Sequence, residues 1–155
     1  GDVTVNGGTL GVDGLLTLQT QLTVTPGATL AGFGTVAGVS FINGTLGAGQ
    51  LPNYADLIAN NGGRLPAGIP LTGTSPGTLT FQGNVTLSAG ATMREDIDGA
   101  LQTPGGPGTY SKVIVTGAGA AFAVDGALVP VLRGIPGSTN TYVPAIGTRF
   151  PIVTA

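Results

Sequence analysis

The sequence predicts an all-β fold and, within that class, a parallel β-helix, a solenoid whose coils differ in length. Residues 75–93 alternate apolar side chains with hydroxyl or amide side chains, which is the period of a strand with one buried face. The chain has 29 Gly and 11 Pro but 8% charged residues, so turns are frequent and the outer faces are polar without being charged. Pairs of Thr and a large apolar residue recur after Gly-containing turns.

The recurring pairs mark an internal repeat of irregular spacing. Segment 3–11 aligns without a gap to segment 39–47, and segment 22–30 aligns to segment 85–93. Stacked repeats pair each short strand with the coils before and after it, which satisfies the backbone without long hairpins. A β-sandwich would instead need tight turns between longer strands. The pairs are Thr9–Leu10, Thr29–Leu30, Thr45–Leu46, Thr78–Leu79 and Thr92–Met93.

For the tight turns that a β-sandwich would need, the sequence offers two good candidates, "VNGGTL" and "FINGTL".

Residues 1–50 form the N-terminal coils in this interpretation. Residues 51–74 break the pattern, because their prolines interrupt any strand. Within them, "NYADLIANNGG" predicts one short helix that starts at Asn53 and stops at Gly62. We therefore predict an inserted loop that contains a short helix.

Residues 75–155 are predicted to form the C-terminal coils and a β cap, so residues 1–155 make a single β-helix domain. Strands are expected at 111–117, 120–132 and 149–155, with loops at 101–109 and 133–148.

Several side chains are expected inside the stack. Glu95 has the inward parity of Ala91 and Met93, and burying its charge without a partner would be costly. We expect it at a bulge or at the edge of a coil. The residues expected to stack in the interior are Phe33, Phe41, Phe81 and Phe122.

Composition argues against several functions. The net charge is −2 and the five basic residues are scattered, so nucleic-acid binding is not expected. Without Cys there is no disulfide framework and no Cys-based metal site. We expect no cofactor and no metal ion.

Two motifs resemble catalytic or metal sites without completing them. Ser75 lies in a Gly-x-Ser-x-Gly pattern, but the chain has no His to act as its base. Asp96 and Asp98 alternate with Glu95, so the three carboxylates do not converge for acid–base work. A Ca²⁺ site at Asp96 and Asp98 is the alternative, but the chain has no repeated Asp-bearing loop to support it. We instead predict a solvated strand end with Arg94 as a neighbour. We therefore do not expect an enzyme.

The order of several segments resembles the passenger-associated repeat of bacterial autotransporters. The matching pieces are "TLAGFGTVAG" (29–38), "NGTLGAG" (43–49) and "SPGTLTFQGNVTLSAGATMREDIDG" (75–99). Residues 110–132 and 147–155 resemble the strands that follow this repeat. The chain departs from the pattern where 51–74 separates two pieces that normally adjoin, at Glu95, and at Ser111, where Asp is common.

The resemblance implies a right-handed parallel β-helix at the surface of a Gram-negative bacterium, or secreted from it. It implies a self-chaperoning segment that folds first during outer-membrane secretion and templates the coils that follow. Its partners would be its own outer-membrane β-barrel translocator and the upstream passenger coils. The alternative is an adhesin-type binding module in which the insertion, through Tyr54 or Arg64, contacts a host or neighbouring-cell ligand.

Overall fold

The computed structural model describes residues 1–49, 76–97, 99–100, 110–132 and 142–155. Within these ranges the chain forms β-strands and turns and no helix, so the all-β prediction is confirmed there. The same ranges accordingly contain no helix long and apolar enough to cross a membrane. The short helix predicted within 51–74 lies outside the described residues.

The strands belong to two sheets. The first sheet contains β1 Val3–Val5, β3 Leu15–Val24, β5 Thr35–Ile42, β7 Thr78–Gln82, β8 Val85–Leu87, β10 Lys112–Thr116, β11 Phe122–Val124 and β13 Val153–Thr154. The second sheet contains β2 Gly8–Gly11, β4 Ala28–Gly32, β6 Thr45–Ala48, β9 Thr92–Ile97 and β12 Ala127–Leu132.

The chain visits the two sheets in turn, and all the strand ladders are parallel. The first sheet is ordered β1-β3-β5-β7-β10-β13, with β8 beside β5 and β11 beside β8, and the second is ordered β2-β4-β6-β9-β12. Parallel strands need a crossover connection, and here the crossover is the strand in the opposite sheet. We call each run from the first sheet to the next strand of the second sheet a pass. The arrangement is compatible with a β-helix-like fold.

The predicted threonine–leucine pairs stack in the second sheet. Four of the five pairs fall in one continuous register, and Leu128 extends the apolar column. The fifth pair, Thr78–Leu79, lies instead in the first sheet opposite Lys112 and Val113. Without this pair the spacing is still irregular, because Thr45 and Thr92 are neighbours in the row although 47 residues separate them in sequence. The leucine row is Leu10, Leu30, Leu46, Met93 and Leu128, and the threonine row is Thr9, Thr29, Thr45 and Thr92.

Two inward rows cross the first sheet. The serine row is Val3, Leu22, Ser40, Val85 and Phe122, and the aliphatic row is Val5, Val24, Ile42, Leu87 and Val124. The alignment of 22–30 with 85–93 is confirmed. The first residues, Leu22 and Val85, share the serine row, and the last residues, Leu30 and Met93, share the leucine row. The alignment of 3–11 with 39–47 is one residue out in this sheet, where Val3 shares a row with Ser40 and not with Val39.

The core lies between the two sheets and contains the buried members of these rows together with residues of β7 and β10, among them Phe81 and Val113. Leu30, Leu46 and Phe81 are completely buried, as the alternation predicts. Phe41, predicted to be interior, is 38% exposed. It shares a row with Thr23 and Thr86 on the outer face, because its neighbour Ile42 takes the inward position. Phe33 and Phe122 are half-buried.

The two candidate hairpin turns do not make hairpins. Asn43 and Gly44 connect β5 to β6, which lie in different sheets. A Cβ on Gly44 would lie 2.3 Å from the Ala28 carbonyl oxygen and 2.4 Å from that of Thr25. Glycine is therefore needed here because the backbone of the preceding pass approaches it closely, which is a different reason from hairpin geometry.

The C-terminal strands are shorter than predicted. Segment 120–132 divides at Asp125 and Gly126 into β11 and β12, which lie in different sheets. Segment 149–155 contributes β13, which pairs with β10 through Val113 and Val153. A two-residue turn between β11 and β12 sends the chain across the core in the same way as the turn between β5 and β6.

Candidate functional site

The site residues proposed from the sequence fall in two groups, those outside the described ranges and the carboxylates of β9. Tyr54 and Arg64 lie outside the described residues, as do Ser75 and Asp98. The carboxylates that the structure does place are Glu95 and Asp96 on β9.

Glu95 points into the core, as its parity predicts. Its residue exposure is 1%, and neither carboxylate oxygen has a hydrogen-bond partner. The expectation of a bulge is wrong, because β9 and β12 stay in unbroken register from Thr92 to Ile97. On the other side, the pairing of β6 with β9 extends to Leu46 and Met93. Glu95 therefore lies just beyond the point where that ladder stops.

Asp96 points away from Glu95 and is held by several groups. Its carboxylate accepts a hydrogen bond from Arg94 Nε at 3.1 Å, and its side chain is 4% exposed. Its backbone N–H donates to Ser111 Oγ at 3.3 Å, and its carbonyl accepts from the Ser111 N–H at 2.8 Å. The predicted Arg94 neighbour is present, but the prediction of a solvated strand end is wrong for Asp96, because its side chain is buried.

Ser111 joins three parts of the chain. It is fully buried, and its hydroxyl donates to the Ala48 carbonyl at 2.7 Å while it accepts from the Asp96 N–H. The resemblance marked this position as a departure from the usual Asp. A hydroxyl can donate and accept at once, whereas a carboxylate can only accept, so Ser suits a site that faces a carbonyl.

Tyr110 completes the polar group around β9. It is 4% exposed, forms a backbone bridge with Ile97, and packs edge-to-face on Phe150 with ring centroids 5.4 Å apart. Burial, and then the nearby Asp96, raise the pKa of Glu95 to about 9. Burial, and then Glu95, raise the pKa of Tyr110 above its usual value. Glu95 is therefore protonated at neutral pH.

This chemistry does not make a catalytic pair. Glu95 and Asp96 project to opposite faces of one strand, so a single substrate could not lie between their carboxylates. Among the described residues, no three His, Cys, Asp or Glu side chains are grouped closely enough to hold a metal ion. A buried, protonated carboxylic acid without a partner acts on stability through pH, and we assign it no further role.

A second feature of the described residues is the pair of strand edges at the N-terminal end of the sheets. The N-terminal edge consists of β1 and β2, which among the described strands pair on one side only, with β3 and β4. Its inward residues Val3, Val5 and Leu10 are half-buried and pack against the core. An edge strand with free N–H and C=O groups is a template for a further strand.

Sequence reasoning missed two of the polar residues that matter in the core. Ser40 is fully buried, and its hydroxyl has no hydrogen-bond partner. The alignment of 3–11 with 39–47 pairs Val3 with Val39, one residue away from the Ser40 that shares its row, so the sequence carried no signal for this buried hydroxyl. Ser111 was noted only as a departure, since its partners Ala48 and Asp96 are distant in sequence.

Comparisons of this chain with family models, with curated proteins and with solved structures find no match.

Proposed function

We propose that the chain is a right-handed parallel β-helix that acts as a self-chaperoning segment of an autotransporter passenger. In this role it nucleates folding during outer-membrane secretion and displays the passenger at the surface of a Gram-negative bacterium. Its partners are its own outer-membrane β-barrel translocator and the upstream passenger coils. We assign it no catalytic role.

The observation that carries the proposal is the unbroken register of the leucine and threonine rows. Each strand of the second sheet pairs in parallel with the strands of the neighbouring passes, although up to 47 residues separate consecutive members in sequence, as between Thr45 and Thr92. In such a stack, stability is a sum of nearest-neighbour terms, so a folded pass lowers the barrier for the next. A template also removes much of the entropy cost of closing a long loop.

Composition supports the same role. An exported chain must stay unfolded until it emerges, and this one has no Cys whose disulfides would lock a loop before then. Its low charge and its Thr-rich outer rows suit strands whose main task is to pair and stack. The outward threonine row carries no charged residue from Thr9 to Thr92.

The order of folding tests the proposal in the full chain. If the C-terminal passes fold first, truncating Leu87 to Ala slows refolding, while truncating Leu30 to Ala mainly speeds unfolding. Both side chains are completely buried, so the two variants are matched in burial and chemistry. Stopped-flow refolding and unfolding in denaturant give the two rates for each variant. If Leu30→Ala slows refolding and Leu87→Ala does not, nucleation starts at the N-terminal passes and the proposal is wrong.

Surface display tests the export part. The chain is placed between a reporter and an outer-membrane β-barrel translocator, and external protease reports how much reporter reaches the surface. Val113→Asp disrupts a fully buried position in the fifth pass and is expected to reduce display strongly. Val5→Asp, in the half-buried first pass, is expected to reduce it less. Equal display by both variants and the unaltered chain would contradict an export role.

A further inference from the structure

The first sheet is interrupted at the same place in the fourth and fifth passes. In the fourth pass, Gly83 and Asn84 separate β7 from β8. In the fifth pass, residues 117–121 separate β10 from β11. The strands on both sides of the interruption stay in register, since β10 pairs with β7 and β11 pairs with β8. The fifth pass therefore holds five residues where the fourth holds two, and the additional residues form a loop on the outside of the sheet.

A groove lies between this loop and the fourth pass, and its volume is about 330 Å³. Its lining consists of Gln82, Gly83 and Asn84 from the fourth pass, residues 117–120 of the loop, and Val39 of the third pass. Sites for small molecules begin at about 300 Å³. The groove can therefore hold a small molecule or a short part of a longer one.

The loop is a closed turn with short side chains. The N–H of Ala120 donates to the Gly117 carbonyl at 3.1 Å. Gly117 and Gly119 have φ of 115° and 74°, a backbone conformation that is accessible to glycine and unfavourable for other residues. Ala118 and Ala120 add methyl groups only. The wall that the loop forms is therefore low, and the groove stays open to solvent.

The loop holds the side chain of Asn84 in one orientation. Asn84 Oδ1 accepts a hydrogen bond from the Ala121 N–H at 3.0 Å, and the Asn84 carbonyl accepts from the Ser40 N–H at 2.9 Å. Among the described contacts, Asn84 Nδ2 donates to no other group, although it carries two N–H donors. Asn84 is exposed and lines the groove. The fold therefore presents a preorganised amide donor to a ligand.

The composition of the lining indicates the class of ligand. Among the described residues, those that line the groove carry no charge, so they offer nothing to pair with a phosphate, sulfate or carboxylate group. Strand β8 pairs with β5 on one side and β11 on the other, so its backbone is not free to bind an added peptide strand. What remains are the amides of Gln82 and Asn84 beside the apolar side chain of Val39. Amides that bind hydroxyl groups next to a small apolar surface suit an uncharged saccharide.

An exposed aromatic ring lies further along the same face of β5. Phe41 follows Val39 by two residues, so both side chains point outward, roughly 7 Å apart along the strand. Phe41 is 38% exposed and shares its row with Thr23 and Thr86. The face of an aromatic ring carries partial negative charge and attracts the C–H groups of a sugar ring. The groove and Phe41 together form a surface that is longer than one sugar ring.

We propose that this surface binds a short uncharged oligosaccharide. One sugar ring lies in the groove, where Asn84 Nδ2 and the Gln82 amide bond to its hydroxyl groups and Val39 contacts its C–H groups. The next ring lies on Phe41, between the hydroxyl groups of Thr23 and Thr86. The inference is independent of the export role, and the site differs from the insertion that the sequence suggested for binding.

The first test is binding of the full chain to an array of neutral and acidic oligosaccharides. Calorimetric titration with the neutral disaccharide that binds best then gives the affinity. Asn84→Asp keeps the oxygen that accepts from Ala121 and replaces the amino group with an acceptor. It is expected to weaken binding about tenfold, the value of one good hydrogen bond. Asn6→Asp is the matched control in the exposed turn between β1 and β2, and it is expected to bind like the unaltered chain.

Three results of the first test overturn the proposal. They are an array on which no neutral oligosaccharide binds, tighter binding of the acidic members, and equal affinities of Asn84→Asp and Asn6→Asp. If Asn84→Asp does not fold, Gln82→Ala replaces it, because that side chain is exposed and makes the other amide contact.

The second test separates the two ring positions. Phe41→Leu keeps an apolar side chain but removes the aromatic face, and it is expected to weaken binding of the disaccharide about threefold or more. Its affinity for the monosaccharide that occupies the groove is expected to stay unchanged. In ¹⁵N NMR spectra, the amide signals of Gly83 and residues 117–120 are expected to shift with either sugar. Shifts confined to other parts of the chain, or equal losses for both sugars, overturn the proposal.

Discussion

The middle of the stack and its ends use the same residues with different results. In the leucine row, Leu46 is completely buried between two passes, whereas Leu128 in the last described pass is 53% exposed. Both occupy the same position in the strand and have the same side chain. Burial in this fold is therefore supplied by the neighbouring passes, and a single pass cannot bury its own apolar face.

The largest expected change in the free energy of unfolding comes from truncating the leucine in the middle of the row, and it is compared with the same truncation at the end of the row. Leu46→Ala is expected to lower the free energy of unfolding by about 2–5 kcal/mol, because it leaves a cavity in the core. Leu128→Ala is expected to lower it by less than about 1 kcal/mol, because half of the side chain is in water already. Chemical denaturation of each variant at low protein concentration measures both. Equal losses would mean that the ends are as well packed as the middle.

Glu95, which is buried in the middle of the stack, is expected to make the stability of the protein depend on pH. The pKa of Glu95 is about 9 when folded, against an ordinary value of 4.5. Between these values the unfolded chain releases a proton that the folded chain keeps, so stability falls as the pH rises. The expected slope is roughly 1 kcal/mol per pH unit. Glu95→Gln is expected to remove this slope and to be more stable than the unaltered chain at pH 8, with the gap narrowing towards pH 5.

The control for the pH experiment is Asp125→Asn in the exposed turn before β12. It removes one carboxylate from the surface and is expected to keep the slope of the unaltered chain. Denaturant unfolding at several pH values gives the slopes. If the curves of Glu95→Gln and the unaltered chain run parallel, Glu95 does not hold its proton in the folded state.

The next largest loss of stability is expected where a glycine in a turn lies against the backbone of the preceding pass. Gly44→Ala is expected to cost roughly 1–3 kcal/mol, because its Cβ would lie 2.3 Å from the Ala28 carbonyl oxygen. Gly90→Ala is the matched control in another turn, where a Cβ would have nothing within 4 Å. Thermal unfolding of both variants measures the difference. A Gly44→Ala variant as stable as Gly90→Ala would show that adjacent passes are further apart than described.

The smallest expected changes in stability come from two buried serines, and the two changes are expected to have opposite signs. Ser40→Ala is expected to raise the free energy of unfolding by about 1 kcal/mol, because it removes a buried hydroxyl that has no partner. Ser111→Ala is expected to lower it by about 1–2 kcal/mol, because the Ala48 carbonyl and the Asp96 N–H lose their partner. Changes of the same sign in both variants would contradict the hydrogen-bonding difference described for them.

The sequence predicted the class of structure because its pattern is local. Alternation within 75–93 places Leu79, Phe81, Val85 and Leu87 inside, and each is buried. It did not predict which sheet a strand enters, so Thr78–Leu79 was grouped with pairs from the other sheet. The sheet that a strand enters depends on whether the turn before it leads the chain to the opposite sheet. Packing against the preceding pass decides this, and such packing is not a local property of the sequence.

The site was harder to predict than the fold. Parity pointed Glu95 inward, but the cost of burying a charge led us to expect a bulge or a coil edge, and the burial of Asp96 on the opposite face was not predicted. The Asp96 carboxylate accepts from Arg94, and the Asp96 backbone bonds to Ser111, which is 15 residues further along the chain. Contacts of this kind leave no periodic signal. Alternation also misplaced Phe41, because the inward residues of that segment are the smaller Ser40 and Ile42.

The most direct test of the account is disulfide trapping between neighbouring passes. The chain has no Cys, so introduced pairs have no competitors. Thr45→Cys and Thr92→Cys stand opposite each other in adjacent parallel strands, which is close enough for a disulfide. Thr29→Cys and Thr92→Cys share the same row but are separated by β6. The account predicts that the first pair oxidises within one chain and that the second does not. Oxidation of the second pair, or of neither, would contradict the stacked parallel register.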